Sequence, residues 1–297
     1  RNLEEFLRLL QSKKVDVQPL ITHRFPIAEA EASYAQLIAG NLNKPIGVLL
    51  EYSYDTQIQR NLPLPSVRSR SSLGANVNLC VIGAGLFGKA LFLPALQKLP
   101  KVCLHTLITS SGANVEHIGR KFKFLNQATE SNQIWKNPNI QGVVGLTPHS
   151  HHASLVRLAL QNQKSLFLEK PLCITEEELS ELRILAEQEE SLPILMIGHN
   201  RRFSPHTQKI RTWLESRRTP LVLQMRVNCG FVPTTHWTHS VDEGRSRIVG
   251  EVSHFLDFLQ SLTGSLIIRV HAERISGDNQ NTVNNDNVVI ALKFADG

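Results

Sequence analysis

The apolar positions change period along the chain. Leu3, Phe6, Leu7 and Leu10 recur at helical spacing, and the alanine-rich run over residues 27–40 predicts a second helix stopped by Gly40. Residues 15–26 read as extended and residues 45–52 as a short apolar strand. From Val77 short apolar runs alternate with amphipathic ones. Residues 77–83, 102–111, 140–148, 165–171 and 193–200 predict strands, and residues 86–99, 116–124, 152–163 and 175–190 predict helices. Strands alternating with helices imply a parallel sheet covered on both faces. After residue 200 the pattern changes again. Residues 221–229, 266–275 and 287–294 alternate apolar and polar like half-exposed strands, around an amphipathic helix at 250–264.

This patterning divides the chain into residues 1–52, a linker over 53–75, an α/β domain over 76–198 and an α+β domain over 199–297. The linker, with two prolines and five serines, has little periodicity. The fold class is α/β: a doubly wound parallel sheet of Rossmann type, followed by an open, mainly antiparallel sheet. That second sheet stops at a turn where another strand ought to follow, so the C-terminus reads as cut. The chain starts at Arg1, and its N-terminus reads as cut too.

Composition narrows the classes. The chain has 297 residues, 41% of them hydrophobic and 20% charged, which is ordinary globular composition and enough for about two domains. The net charge of +6 is dispersed, with no basic run, and aromatics are 6%. Those features argue against nucleic-acid binding and for an anionic ligand such as a phosphate-bearing cofactor. The four cysteines stand far apart, with no CxxC, which reads as a reducing compartment without disulfides. No apolar run reaches the roughly 18–20 residues of a membrane span, and no signal peptide is visible. The expectation is a cytoplasmic protein without a membrane partner.

Candidate chemistry starts at Gly83, Gly85 and Gly88. They form a GxGxxG between a buried strand and a helix, the context in which this spacing binds a dinucleotide. The first glycine permits the turn, the second admits the pyrophosphate and the third packs helix on strand. Leu86 and Phe87 open the helix whose positive end faces the phosphates. An acidic residue ending the next strand would hold the ribose of NAD, yet Thr109, Ser110 and Ser111 stand there. With Arg120 and Lys121 downstream they accommodate a 2′-phosphate, so NADP is favoured over NAD; the alternative is that the serines only cap the turn.

Ligands of doubly wound sheets bind at the carboxyl ends of the strands. Thr147 and Pro148 end one strand there, next to His149, His151 and His152. These histidines diverge around a helix start and lack a Cys or carboxylate companion, so no metal is assigned; one or more could cap the helix or meet the ligand, and His152 is the candidate. Glu169 and Lys170 end another strand, with Pro171 biasing Lys170 towards extended backbone. A surface Glu-Lys pair is the plainer alternative. Arg202 follows the last strand of the α/β domain and either meets an anionic substrate group or closes an interface. Trp237 either stacks on a sugar ring or anchors its loop.

The motifs VIGAGLFG, TPHSHHA, SLFLEKPL, GHNRRFSP and GEVSHFLDFLQSLTG occur in the order and spacing of the Gfo/Idh/MocA family, which residues 77–297 resemble. The resemblance implies a Rossmann domain followed by an α/β domain whose open sheet supports substrate binding and homo-oligomer assembly. It implies hydride transfer between NAD(P) and a sugar, nucleotide-sugar or cyclitol. The family's catalytic lysine falls on Lys170 and its catalytic histidine on His254. The usual aspartate, four residues before that histidine, falls on Gly250, a departure; Glu251 stands one place later, and Asp257 matches a downstream acid. Residues 14–52 resemble the C-terminal tail of zinc-type medium-chain alcohol dehydrogenases, without any zinc ligand. Together the two resemblances suggest a bi-domain oxidoreductase. A non-catalytic NAD(P)-binding regulator, or an auxiliary domain of a fused dehydrogenase, is the alternative.

Overall fold

The structure, a computed structural model, describes residues 2–52, 61–63, 77–275 and 286–296. It divides into two units, residues 1–59 and residues 60–297. The first contains α1 (Asn2–Gln11), β1 (Ile21–Pro26), α2 (Ala30–Ile38) and β2 (Gly47–Glu51), with β1 and β2 paired in parallel. Gly40, at φ +70°, takes the left-handed backbone that stops α2.

The second unit opens with β3 (Asn61–Pro63), inside the segment read as a linker; the rest of that segment lies outside the described residues. Then follow β4 (Val77–Ile82), α3 (Leu93–Leu96), β5 (Val102–Ile108), α4 (Gly112–Phe122), β6 (Asn126–Ala128) and β7 (Gly142–Gly145). After these come α5 (His152–Gln161), β8 (Ser165–Leu168), α6 (Glu176–Glu187), β9 (Leu195–Ile197) and α7 (Pro205–Leu214). The last described elements are α8 (Ser253–Thr263), β10 (Ile267–Arg274) and β11 (Val288–Phe294). The large sheet has the order β3-β6-β5-β4-β7-β8-β9, parallel except for the edge strand β3. Strand order reverses between β4 and β7, the switch point at which such sheets open a ligand crevice.

Period-two alternation loads both faces of this sheet. Cys80, Ile82 and Val143 pack with Ala153, Val156 and Leu160 of α5 on one side. Val81 and Val144 pack with Leu93 and with Val115, Ile118 and Phe122 of α4 on the other. All four cysteines are free, and burial raises the Cys80 thiol pKa. Thr175 and Glu178 close a reciprocal capping box at the start of α6.

One expectation is corrected, and two elements appear that the pattern did not announce. Residues 221–229 form no strand: they alternate in polarity, but no partner ladder pairs with them among the described residues. The smaller sheet is the antiparallel pair β10–β11, and β6 and α7 were not foreseen. β6 has only the sequence Asn-Gln-Ala, with no apolar run to reveal it; its pairing with β5 makes it a strand.

Candidate active site

The glycine turn has one backbone requirement and one open space. Gly83 sits at φ +87°, its N–H bonded to the Ile108 carbonyl at 2.8 Å. A Cβ there would lie 2.5 Å from the Leu146 carbonyl oxygen and 2.7 Å from its carbon. A Cβ on Gly85 would meet nothing within 4 Å, whereas one on Gly88 would stand 3.1 Å from Leu146 Cδ1. The open backbone at Gly85, next to a helix N-terminus, therefore fits a diphosphate. Leu86 and Phe87 lie exposed at that helix start. A π turn, Gly88–Phe92, leads into α3 and directs the Leu93 N–H to the Gly88 carbonyl. Pro94 accounts for the widening, because it brings no N–H and its ring crowds the carbonyl one turn back.

At the end of β5, Thr109 Oγ1 donates to the Ser111 carbonyl at 2.9 Å, and Ser111 Oγ caps α4 by accepting from the Asn114 N–H. Ser110 is exposed beside them. Arg120 and Lys121 are corrected as phosphate partners. They lie in the last turn of α4, about 13 Å along the helix from Ser111. Arg120 pairs with Glu116 at 2.7 Å, and Lys121 stands over the Phe122 ring.

The loops after β7 and β8 are pinned together. His152 is fully buried; its Nδ1 meets the Pro171 carbonyl at 2.5 Å and its Nε2 the Thr147 carbonyl at 3.0 Å. Both ring nitrogens are used on backbone, so His152 presents no polar atom to a cofactor, against expectation. Thr147 Oγ1 is buried with no partner, and Pro148 is exposed beside it.

Lys170 follows β8, joined to Pro171 by a cis peptide. Its Nζ donates to the Gly250 carbonyl at 2.7 Å, in the π turn Ile248–Val252 ahead of α8. Burial holds this ammonium below its ordinary pKa, opposed by the Glu169 and Glu251 carboxylates. Glu169 packs against Gly198, where a Cβ would come within 2.8 Å of its Oε1. Burial raises its pKa, against a bond from the Lys170 backbone N–H.

His254 stands in the first turn of α8, its Nδ1 buried and unpartnered. Burial, then the Lys170 charge, lowers it to about 4, so the imidazole is neutral near pH 7. His199 lies edge-on to it at 5.4 Å, and its Nδ1 too is buried without a partner. His149 repeats the pattern: its Nδ1 is unpartnered, its pKa is lowered to about 4, and its ring lies 5.0 Å from that of Trp237. His149 and His199 were not chosen from sequence; they stand four and two residues past the ends of β7 and β9, in the loops at the carboxyl rim. Among the described residues no group of three or more His, Cys, Asp or Glu could hold a metal.

The acidic candidates are spent on arginines. Arg202 grips Asp257 through Nε at 2.9 Å and through Nη2, and both side chains are partly buried. Glu251 faces Arg247 at 3.1 and 3.3 Å. Arg202, Glu251 and Asp257, three substrate-contact candidates, are thus held in ion pairs in this structure. Arg202→Ala should therefore cost about 1–3 kcal/mol of unfolding free energy by leaving Asp257 uncompensated. Denaturant titration checks this, and Arg202→Ala/Asp257→Asn should recover part of the loss.

Residues 77–199 match the profile of the Gfo/Idh/MocA oxidoreductase family, NAD-binding Rossmann fold. The match supports an NAD-binding oxidoreductase domain there. An uncharacterised oxidoreductase of Bacillus subtilis, YrbE, is 24% identical over 73% of this chain and 63% of its own length. The scyllo-inositol 2-dehydrogenase (NADP(+)) IolW of the same organism is 28% identical over 43% of this chain and 34% of its own. A levoglucosan dehydrogenase solved with NADH and levoglucosan superposes with a TM-score of 0.60 and 22% identity, covering 75% of this chain and 65% of that one. The shared fold is thus Rossmann-like, and the chain spans less than two thirds of the length of these relatives. No helix among the described residues is long and apolar enough to cross a membrane.

Proposed function

We propose that this chain transfers a hydride between NAD(P) and the hydroxyl-bearing carbon of a sugar, nucleotide-sugar or cyclitol. One observation carries the reading: a half-buried lysine at the carboxyl rim of the sheet acts electrostatically on a neutral imidazole whose Nδ1 is unpartnered, and the glycine turn of that sheet has room for a diphosphate. The Gly83–Gly88 turn would hold the diphosphate, with Thr109–Ser111 at the ribose and Thr147, Pro148 and Glu169 nearer the nicotinamide. Bound nicotinamide would supply the hydride acceptor or donor. His254 accepts the hydroxyl proton through its free nitrogen, and Lys170 hydrogen-bonds the same oxygen as negative charge develops there. The similarity of this chain to inositol and levoglucosan dehydrogenases supports the substrate class.

Thr109–Ser111 offers no carboxylate to a ribose diol, which supports NADP; the displaced Arg120 and Lys121 no longer do. We read residues 1–52 as an alcohol-dehydrogenase-like tail that contributes no site residue. Exposed Ile268, Val270 and Val289 on β10–β11 support assembly through that sheet.

Turnover over a panel of inositols, anhydrosugars and nucleotide sugars, with NAD+ and NADP+, tests the reading. The pH profile sharpens it. His254 loses its basic form only as pH falls through about 4, so kcat/KM should stay level from pH 7 down to about 5. A base with the ordinary histidine pKa would already lose about tenfold by pH 5.5. A profile that breaks near 6.5 removes His254 in this environment as the base.

A further inference from the structure

Gly250 is buried, and the His149 ring lies where its side chain would begin. A Cβ at 250 would stand 3.2 Å from His149 Cε1 and 3.8 Å from its Nδ1. The carbonyl of the same glycine takes the Lys170 ammonium at 2.7 Å. His149, Gly250 and Lys170 thus form one contact group built from the β7 loop, the turn before α8 and the β8 loop. Burial, and after it the Lys170 charge, lowers the pKa of both His149 and His254, so Lys170 stands within electrostatic reach of two imidazoles from different elements. The indole of Trp237, 43% exposed, meets the His149 ring edge-on and bounds the group on the solvent side.

The hydrogen bonding of this group is incomplete. His149 Nδ1, His254 Nδ1 and Thr147 Oγ1 are all buried without a partner. A buried polar atom left unpaired costs about 1–3 kcal/mol, and the two imidazoles within electrostatic reach of Lys170 mark a place where a ligand completes the bonding. Of the carboxylates close by, Glu251 is paired with Arg247 and Asp257 with Arg202, while Glu169 takes the Lys170 backbone N–H. The unpartnered groups beside Lys170 are therefore neutral imidazoles, a set suited to vicinal hydroxyls, which both donate and accept.

We propose that His149, admitted beside Lys170 by the absence of a side chain at Gly250, is a substrate-binding residue whose Nδ1 hydrogen-bonds a hydroxyl of a polyol or sugar next to the one held by Lys170 and His254. This rests on the hydride-transfer reading above. It assigns to the β7 loop a share in substrate selection that sequence comparison around Gly250 alone does not reveal.

The test labels the full chain with 15N-histidine and titrates it with scyllo-inositol and with levoglucosan in the presence of NADH, as a non-reacting complex, while turnover and KM are measured separately with NAD+ and NADP+. Long-range proton–nitrogen NMR reads the ring nitrogens, and His149→Ala and His254→Ala supply the assignments. Saturable shifts of His149 Nδ1 and of the His254 ring, with one midpoint, are expected. His149→Ala should raise KM for the bound polyol at least tenfold while NADH affinity stays within twofold. Gly250→Ala, which crowds the ring at 3.2 Å, should raise KM less. If His254 shifts and turnover occurs but His149 does not respond, the assignment of His149 is overturned and the hydride-transfer reading stands. If both rings respond without turnover, His149 keeps its role and the reaction fails. If neither ring responds and neither polyol is oxidised, both fall. Should His149→Ala not fold, the shift changes caused by Gly250→Ala identify the signal.

Discussion

Lys170→Met should lower turnover by about 10³-fold while NADH affinity stays within about twofold. Methionine keeps most of the aliphatic stem, so the packing of the β8 loop is retained and only the ammonium is removed. What is lost is the donor now resting on the Gly250 carbonyl at 2.7 Å and the charge that lowers His254 and His149. Both imidazoles should then become somewhat more basic, so the acid limb of any residual activity should move up in pH, while burial still holds both below an ordinary histidine. Stopped-flow single turnover separates the chemical step from cofactor release, and fluorescence titration measures NADH binding. Turnover within tenfold of the unmodified chain would take Lys170 out of the reaction and leave it as a fastener between the β8 loop and the turn before α8.

Much of this was legible in the sequence because it depends on local patterns. The βαβ alternation, the GxGxxG after a buried strand and the Lys170–Pro171 strand end are all short-range signals, and each maps onto the sheet where expected. What escaped depends on partners distant in sequence. Arg202 and Asp257 lie 55 residues apart, and only the packing of α8 on the turn after β9 brings them together. His152 looked like a ligand contact because it follows a strand end, yet its ring bridges two carbonyls of neighbouring loops. Arg120 and Lys121 lie close to Ser111 in sequence, but a helix carries them away along its axis. The contact of His149 with Gly250 spans two loops that no local motif connects. The strand misread at 221–229 shows the same limit in the backbone, since alternation describes a surface and only a partner ladder makes it a strand.

Gly83→Ala and Gly85→Ala should have opposite consequences, although both remove a glycine from one turn. At Gly83 the backbone is at φ +87°, and an added Cβ would lie 2.5 Å from the Leu146 oxygen and 3.0 Å from the Thr147 nitrogen. Those atoms belong to the backbone at the end of β7 and cannot rotate away. Left-handed strain costs about 1–2 kcal/mol, and displacing packed neighbours about 1–3 kcal/mol more. Gly83→Ala should therefore lose roughly 2–5 kcal/mol of stability and lower Tm by about 5–15 °C. It should also shift the 146–147 segment that leads to His149 and His152. At Gly85 an added Cβ meets no atom, so Gly85→Ala should fold with a Tm within about 2 °C of the unmodified chain. Its methyl, however, stands on the open side of the turn, where a diphosphate would contact backbone. NADH and NADPH affinity should both fall at least about tenfold, equivalent to about 1.4 kcal/mol. Calorimetry and cofactor titration on the two variants decide the point. A stable Gly85→Ala that binds either cofactor as tightly as the unmodified chain would mean that the diphosphate lies elsewhere. The nicotinamide would then have no reason to reach Lys170.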